Sequence, residues 1–208
     1  MPRNETTVTF GCRCGEVRGM VVRAAPASVN RVICYCDDCQ AFAHWLDRAD
    51  LLDDHGGSDI VQLAPAAMSF TKGEEKIGGV RLTSRGLHRY YATCCNTPVG
   101  NMVSPTIPFV GVMAAVFRTD GQDPDAVFRP PIGAIKGEFA VGETPPGSRG
   151  ISLWLMARAI AKVLKWRLSG WTWPHPFFDR ASDKSRFVMT TVSPAERERL
   201  RLLSGSRR

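Results

Sequence analysis

For its first 140 or so residues the chain alternates short runs of β-forming residues with glycine, serine and proline, and then its pattern changes. Residues 6–10 alternate β-formers and run into Gly11-Cys12-Arg13-Cys14-Gly15, which predicts a strand ending in a glycine-flanked turn. Residues 17–22 and 29–33 predict two further strands around Pro26. A short helix is predicted over residues 39–46, with Asp37 and Asp38 as its caps. Residues 53–58, with Gly56-Gly57, read as a loop. The β pattern then resumes at residues 60–63, 68–72, 79–83, 88–92, 100–104 and 109–117, the last apolar enough for the core. Residues 120–131 are rich in turn formers. Many short strands between turn signals predict an all-β core.

Pro145, Pro146, Gly147 and Gly150 mark a linker, dividing the chain into a β-domain at 1–146 and a C-terminal helical extension at 147–208. Beyond it, Leu153, Met156, Ala157, Ile160, Leu164 and Leu168 recur at helical spacing, with Arg158, Lys162 and Lys165 on the other side. The apolar stripe of this amphipathic helix is expected to dock on the β-domain. The aromatic run of residues 171–178, broken by Pro174 and Pro176, is expected to pack in the same way. A last basic helix is predicted from Pro194, capped by Ser193.

Charge sharpens this division. Residues 1–150 carry 15 Lys and Arg against 16 Asp and Glu, whereas residues 151–208 carry 12 against 4. The whole excess of +7 therefore belongs to the extension, which suits either a solvated helix face or an acidic partner. Interleaved basic and aromatic residues also admit contact with a membrane surface or nucleic acid. The longest apolar run, residues 151–168, is interrupted by four cations, so no transmembrane segment is expected. Residues 1–10 hold no apolar stretch of signal-peptide length, and the expected location is cytoplasmic. In that compartment seven cysteines, an odd number, point to metal or redox chemistry rather than disulfides.

The cysteines fall in three clusters: Cys12 and Cys14; Cys34, Cys36 and Cys39; and the adjacent Cys94 and Cys95. A Cys-x-Cys-x-x-Cys stretch can aim three thiolates at one point, which suits Zn²⁺. Three ligands leave a tetrahedral position open for water or substrate, unless a fourth ligand closes the site.

The order of these motifs resembles the glutathione-dependent formaldehyde-activating enzyme and centromere protein V family. Gly11-Cys12-Arg13-Cys14-Gly15, Cys34-Tyr35-Cys36-Asp37-Asp38-Cys39, and Arg89-Tyr90-Tyr91 ahead of Cys95-Asn96-Thr97-Pro98 carry the resemblance, over about the first half of the chain. It implies a zinc-stabilised β-tent with two metal sites. Cys12, Cys14 and Cys95 would be structural ligands, and Cys34, Cys36 and Cys39 would hold a catalytic zinc with an open position. The chain departs from the pattern at Ala92, where the family has the first cysteine of its late pair. It offers Cys94 instead. Neighbouring residues of a strand face opposite ways, so Cys94 joins the site only if the turn is distorted there; His88 is another candidate.

The activity implied is that of a carbon–sulfur lyase acting on a glutathione, or other thiol, adduct of formaldehyde or a small aldehyde. The metal would hold the thiol as thiolate. Arg13, Arg31, Arg85 and Arg89 lie near the clusters in sequence and are candidates to meet an anionic thiol such as glutathione. Asp37 and Asp38 could move protons or cap the helix, and Gln40 and His44 could support the site. Two other functions suit the same residues: a non-catalytic zinc-stabilised module that binds an acidic partner through the basic extension, and a thiol redox sensor.

Overall fold

A computed structural model describes residues 6–205; residues 1–5 and 206–208, the outer ends of the two segments drawn above, lie outside the described residues. The chain is mostly β-sheet, in two sheets, with a few helices. Strands β1 (Val8–Gly11), β2 (Arg18–Val21) and β5 (Met68–Lys72) form a small antiparallel sheet in the order β1-β2-β5. The large sheet holds β3 (Asn30–Cys34), β4 (Ser58–Leu63), β6 (Ile77–Arg81), β7 (His88–Ala92), β8 (Thr97–Met102), β9 (Val110–Met113), β10 (Ala134–Ile135) and β11 (Met189–Thr191). Its order is β10-β3-β4-β9-β8-β7-β6-β11. The interior pairs are antiparallel, and the two edge strands, β10 on β3 and β11 on β6, are parallel.

The main core includes Phe10 and Val21 of the small sheet and Val61, Leu63, Tyr90, Val99 and Val110 of the large one. The aromatic run enters it as expected: Phe177 and Phe178 are buried, and Phe177 stacks on Tyr90 at 4.3 Å between ring centroids. Helices α1 (Asp37–Trp45) and α5 (Pro194–Leu203) pack on each other and form a second cluster in which Phe42, Leu46 and Leu200 meet Val80 and Leu82. Residues beyond the Pro/Gly stretch thus supply an edge strand, core aromatics and a helix against α1.

Two strand predictions change at their ends. The apolar run of residues 109–117 is strand only to Met113; Ala114 takes helical dihedrals and α2 (Ala115–Thr119) follows. A short, fully apolar run has no period to tell strand from helix. Strand β8 starts at Thr97 rather than Gly100, so Pro98 lies inside a strand of the large sheet. It pairs with Tyr91 where the register slips between Tyr90 and Tyr91, and a bulge is where a sheet tolerates proline. The turn-rich residues contain α3 (Pro124–Phe128), capped by the Asp123 side chain.

The helix after the linker, α4 (Leu153–Leu168), has the predicted bounds, and Ser152 caps it. Its orientation is the reverse of the expectation. Leu153, Met156, Ile160, Leu164 and Leu168 of the apolar stripe are exposed. The basic side turns inward instead: Arg158 Nε donates to Asn30 Oδ1 at 2.8 Å, and Lys162 Nζ donates to the Ala27 carbonyl at 2.6 Å. Leu155 and Trp166 are the buried residues of the helix. Among the described residues no helix is long and apolar enough to cross a membrane.

Candidate metal centres

All seven cysteines are free thiols, and they gather into two groups. The first joins the sheets. Cys12 and Cys14 sit in the turn after β1, closed by Gly15 at φ +75° and a Gly15 N–H bond to the Cys12 carbonyl. Cys94 and Cys95 sit in the turn between β7 and β8, where Asn96 is left-handed at φ +54°. That turn is the distortion needed for adjacent residues to face one point. Ala92, where the resemblance leads one to look for a cysteine, is buried in the core. His88 stays away from the group: its ring lies beside Arg81 and edge-on to Phe178 at 5.0 Å.

The sulfurs of this group are 3.5 Å apart for Cys12 and Cys14, 3.3 Å for Cys14 and Cys94, 3.8 Å for Cys12 and Cys94, and 3.9 Å for Cys94 and Cys95. All four lie within 4.8 Å of one another. A tetrahedron with Zn–S bonds of about 2.3 Å has edges of about 3.8 Å, so this donor set could hold a metal ion and is compatible with zinc.

The second group is built where β3 becomes α1. Cys34 ends the strand, Cys36 is the N-cap of the helix, and Cys39 lies in its first turn. Their sulfurs lie within 4.8 Å of one another, with Cys34 and Cys36 at 3.4 Å. Among the described residues no fourth His, Cys, Asp or Glu joins them. The helix N-terminus favours negative charge at this point.

Both groups favour one thiolate. At Cys39, hydrogen bonds from Cys34 and Cys36 lead, burial opposes them, and the nearby Arg89 charge adds to them; the thiol is held well below its ordinary value. At Cys36, the bonds to Cys34 and Cys39 and burial push the thiol well up. At Cys34, a bond from Cys36 favours the anion, but the bond to Cys39 and burial outweigh it. In the other group, burial pushes Cys12 and Cys94 up. Burial also opposes ionisation of Cys95, but hydrogen bonds with Thr97 and Cys14 bring it down to about 6. Metal binding must therefore displace the remaining protons.

Of the four arginines near the clusters in sequence, Arg89 reaches a sulfur. Its side chain is buried on the large sheet, with Nη1 4.0 Å from Cys39 Sγ and 3.4 Å from Asn101 Oδ1, and the guanidinium stands 5.2 Å from the centre of the Phe42 ring. Its Nη2 is buried with no hydrogen-bond partner. Arg31 is buried in pairs with Asp59 and Asp125. Arg13 and Arg85 are exposed.

Sequence reasoning gave Gln40 and the Gly56-Gly57 loop too little weight. Gln40 is fully buried. Its amide donates to the Tyr35 carbonyl at 2.7 Å and the Phe139 carbonyl at 2.9 Å, and its oxygen accepts from the Gly205 N–H at 2.8 Å. Gly57 is pressed so closely that a Cβ there would lie 2.4 Å from Asp53 Oδ2 and 2.6 Å from Tyr35 Cε1. Asp53 in turn accepts from the Tyr35 hydroxyl at 3.0 Å. The signals available were a glutamine directly after Cys39 and a double glycine in the following loop. Asp37 and Asp38 are engaged by Arg197 of α5, at 3.3 and 2.6 Å.

A family model described as a family of unknown function, DUF6151, matches residues 5–185. The chain belongs to the DUF6151 family. The span of the DUF6151 match includes all seven cysteines and α4, and it ends before β11 and α5. No curated protein matches this DUF6151 sequence. A crystal structure of a Rhodobacter sphaeroides protein is similar over 60% of this chain and 98% of its own, at 16% identity and a TM-score of 0.42.

Proposed function

We propose that this DUF6151 protein is a two-centre zinc protein whose Cys34/Cys36/Cys39 site acts as a carbon–sulfur lyase on a thiol adduct of formaldehyde or another small aldehyde. The observation that carries the reading is the difference between the centres: four sulfurs gather at one and three at the other. Four thiolates complete a tetrahedron and suit a structural role, while three leave a position for a ligand. The resemblance of the cysteine motifs to the formaldehyde-activating family supports the same division, and two sheets stapled by Cys12, Cys14, Cys94 and Cys95 are compatible with a zinc-stabilised β-tent.

Bound at the three-cysteine site, zinc would supply a position at which an incoming thiol such as glutathione is held as thiolate. The chain's own residues do the rest. Arg89 offsets the negative charge of three thiolates around a dication. Gln40 fixes the loop to the residues on either side of it. The Cys34 wall belongs to an apolar cluster with Ile60, Met113 and Leu155, which limits water around the sulfurs. Asp37 and Asp38, tied to Arg197, serve α1 and α5 rather than proton transfer.

The test is zinc per chain in protein purified under reducing conditions, together with turnover of S-hydroxymethylglutathione, for wild type and Cys36→Ala. The expected result is two zinc ions falling to one, with turnover lost. Unchanged metal content and turnover in Cys36→Ala would overturn the reading. The second reading, a non-catalytic zinc-stabilised module using its C-terminal extension, is favoured by the outward apolar stripe of α4; it predicts two zinc ions and no turnover in wild type.

A further inference from the structure

Helix α4 keeps its long apolar stripe at the surface. An amphipathic helix at a protein surface normally turns its apolar stripe to the core and its charges to water. Here Arg158 and Lys162 face inward beside the buried Leu155 and Trp166, while Leu153 and Leu168 are 84% and 87% exposed and Ile160 and Leu164 are 53% and 52% exposed. These positions form one continuous stripe at a turn of about 100° per residue. The same geometry puts exposed Lys165 on one flank of the stripe and exposed Arg167 on the other. Trp154 is exposed beside it, with the Arg158 guanidinium 5.7 Å from its ring centre. Arg167 donates to the Thr106 carbonyl at 3.0 Å, which brings the neighbouring exposed Ile107 toward the C-terminal end of the helix.

Charge identifies the occupant. Residues 144–178 contain five cations, Arg149, Arg158, Lys162, Lys165 and Arg167, and no Asp or Glu. We infer that α4 docks this DUF6151 protein on an anionic phospholipid surface, lying in the plane of the headgroups with its leucine and isoleucine stripe toward the acyl chains. Trp154 and the flanking cations then sit at headgroup level, where aromatic and basic side chains are favoured. With 16 residues the helix is about 24 Å long and does not cross the bilayer. A second copy docked through the same stripe would bring two acid-free basic segments face to face, which like-charge repulsion opposes. The inference stands whatever the cysteine centres hold.

The test is co-sedimentation of the full chain with vesicles of phosphatidylcholine alone and of equal parts phosphatidylcholine and phosphatidylglycerol. The expected result is binding to the anionic vesicles only, weakened by added salt. Ile160→Glu combined with Leu164→Glu, both at exposed positions, is expected to lower that binding about a hundredfold, since each change removes an apolar contact worth about a factor of ten. Its circular dichroism should be unchanged. Lys165→Glu is expected to lower binding to anionic vesicles with the stripe intact. Equal binding to both vesicle types, or none to either, overturns the proposal. So does a lipid-free dimer that the double variant converts to monomer, which would give the stripe to a second copy.

Discussion

Replacing Arg89 with methionine separates the charge of the three-cysteine centre from its shape. The guanidinium is buried, with Nη1 4.0 Å from Cys39 Sγ. Two unit charges at that distance interact by about 4 kcal/mol at an effective dielectric of 20. A dication held there by three thiolates would leave one net negative charge, shared among three sulfurs of which Cys39 lies within reach of Nη1. A third to a half of the full interaction then remains, about 1–2 kcal/mol, or about a 10- to 30-fold loss of zinc affinity. Without metal the balance is different. Nη2 has no partner, methionine buries no charge, and the Cys39 thiol can take a proton, so the metal-free protein should lose less than about 1 kcal/mol. The assay is competition for zinc against a chromophoric chelator at fixed pH, with urea unfolding of the metal-free protein beside it. Arg89→Lys, which keeps the charge, should recover most of the affinity. Unchanged zinc binding in Arg89→Met refutes the electrostatic argument. Equal losses in both variants with a large drop in metal-free stability would assign Arg89 to packing over Phe42.

Three further outcomes follow from the geometry. Gln40→Ala removes three hydrogen bonds from a fully buried site and should destabilise the protein by about 2–4 kcal/mol in urea unfolding, with a matching loss of metal at the three-cysteine site. Gly57→Ala places a methyl against Asp53, Ile33 and Tyr35 and should lower stability by about 1–3 kcal/mol; a neutral result would mean that the loop yields freely. His175, driven down to about 4 by burial first and by the Arg186 charge second, binds a proton more readily unfolded than folded. Stability should therefore fall as pH drops from about 6.5 to 4, by about 3 kcal/mol, and level off below; His175→Asn should remove that part of the slope in unfolding measured across this range.

The cysteine grouping was legible in the sequence because short motifs fix sulfur positions through local backbone geometry. The strands were legible for a related reason: period-two alternation and turn residues act over a few positions. What escaped depends on distant partners. Nothing in residues 134–135 or 189–191 announces a parallel edge strand, since each is too short to carry a pattern. The orientation of α4 was misread because amphipathicity distinguishes two faces without saying which one meets the protein. Asn30 and the Ala27 carbonyl, which receive Arg158 and Lys162, are about 130 residues away in sequence. Cys94 falls between these cases: its thiol was visible, but its direction follows from the left-handed turn at Asn96.

The bond between Gln40 and Gly205 joins residues 165 positions apart, and so gives the three-cysteine loop a birth order. At about 5–20 residues per second, the thiols emerge from the ribosome about 10–30 s before the residue that completes their bracing. Phe139 reaches Gln40 earlier, and Arg197 reaches Asp37 and Asp38 shortly before Gly205 follows. A nascent chain halted after Cys95 and before Gly205 carries all seven cysteines but an unfinished loop. The bracing of this loop is thus complete only once Gly205 has been made, and until then Gln40 lacks one of the three hydrogen bonds that hold it in the folded chain.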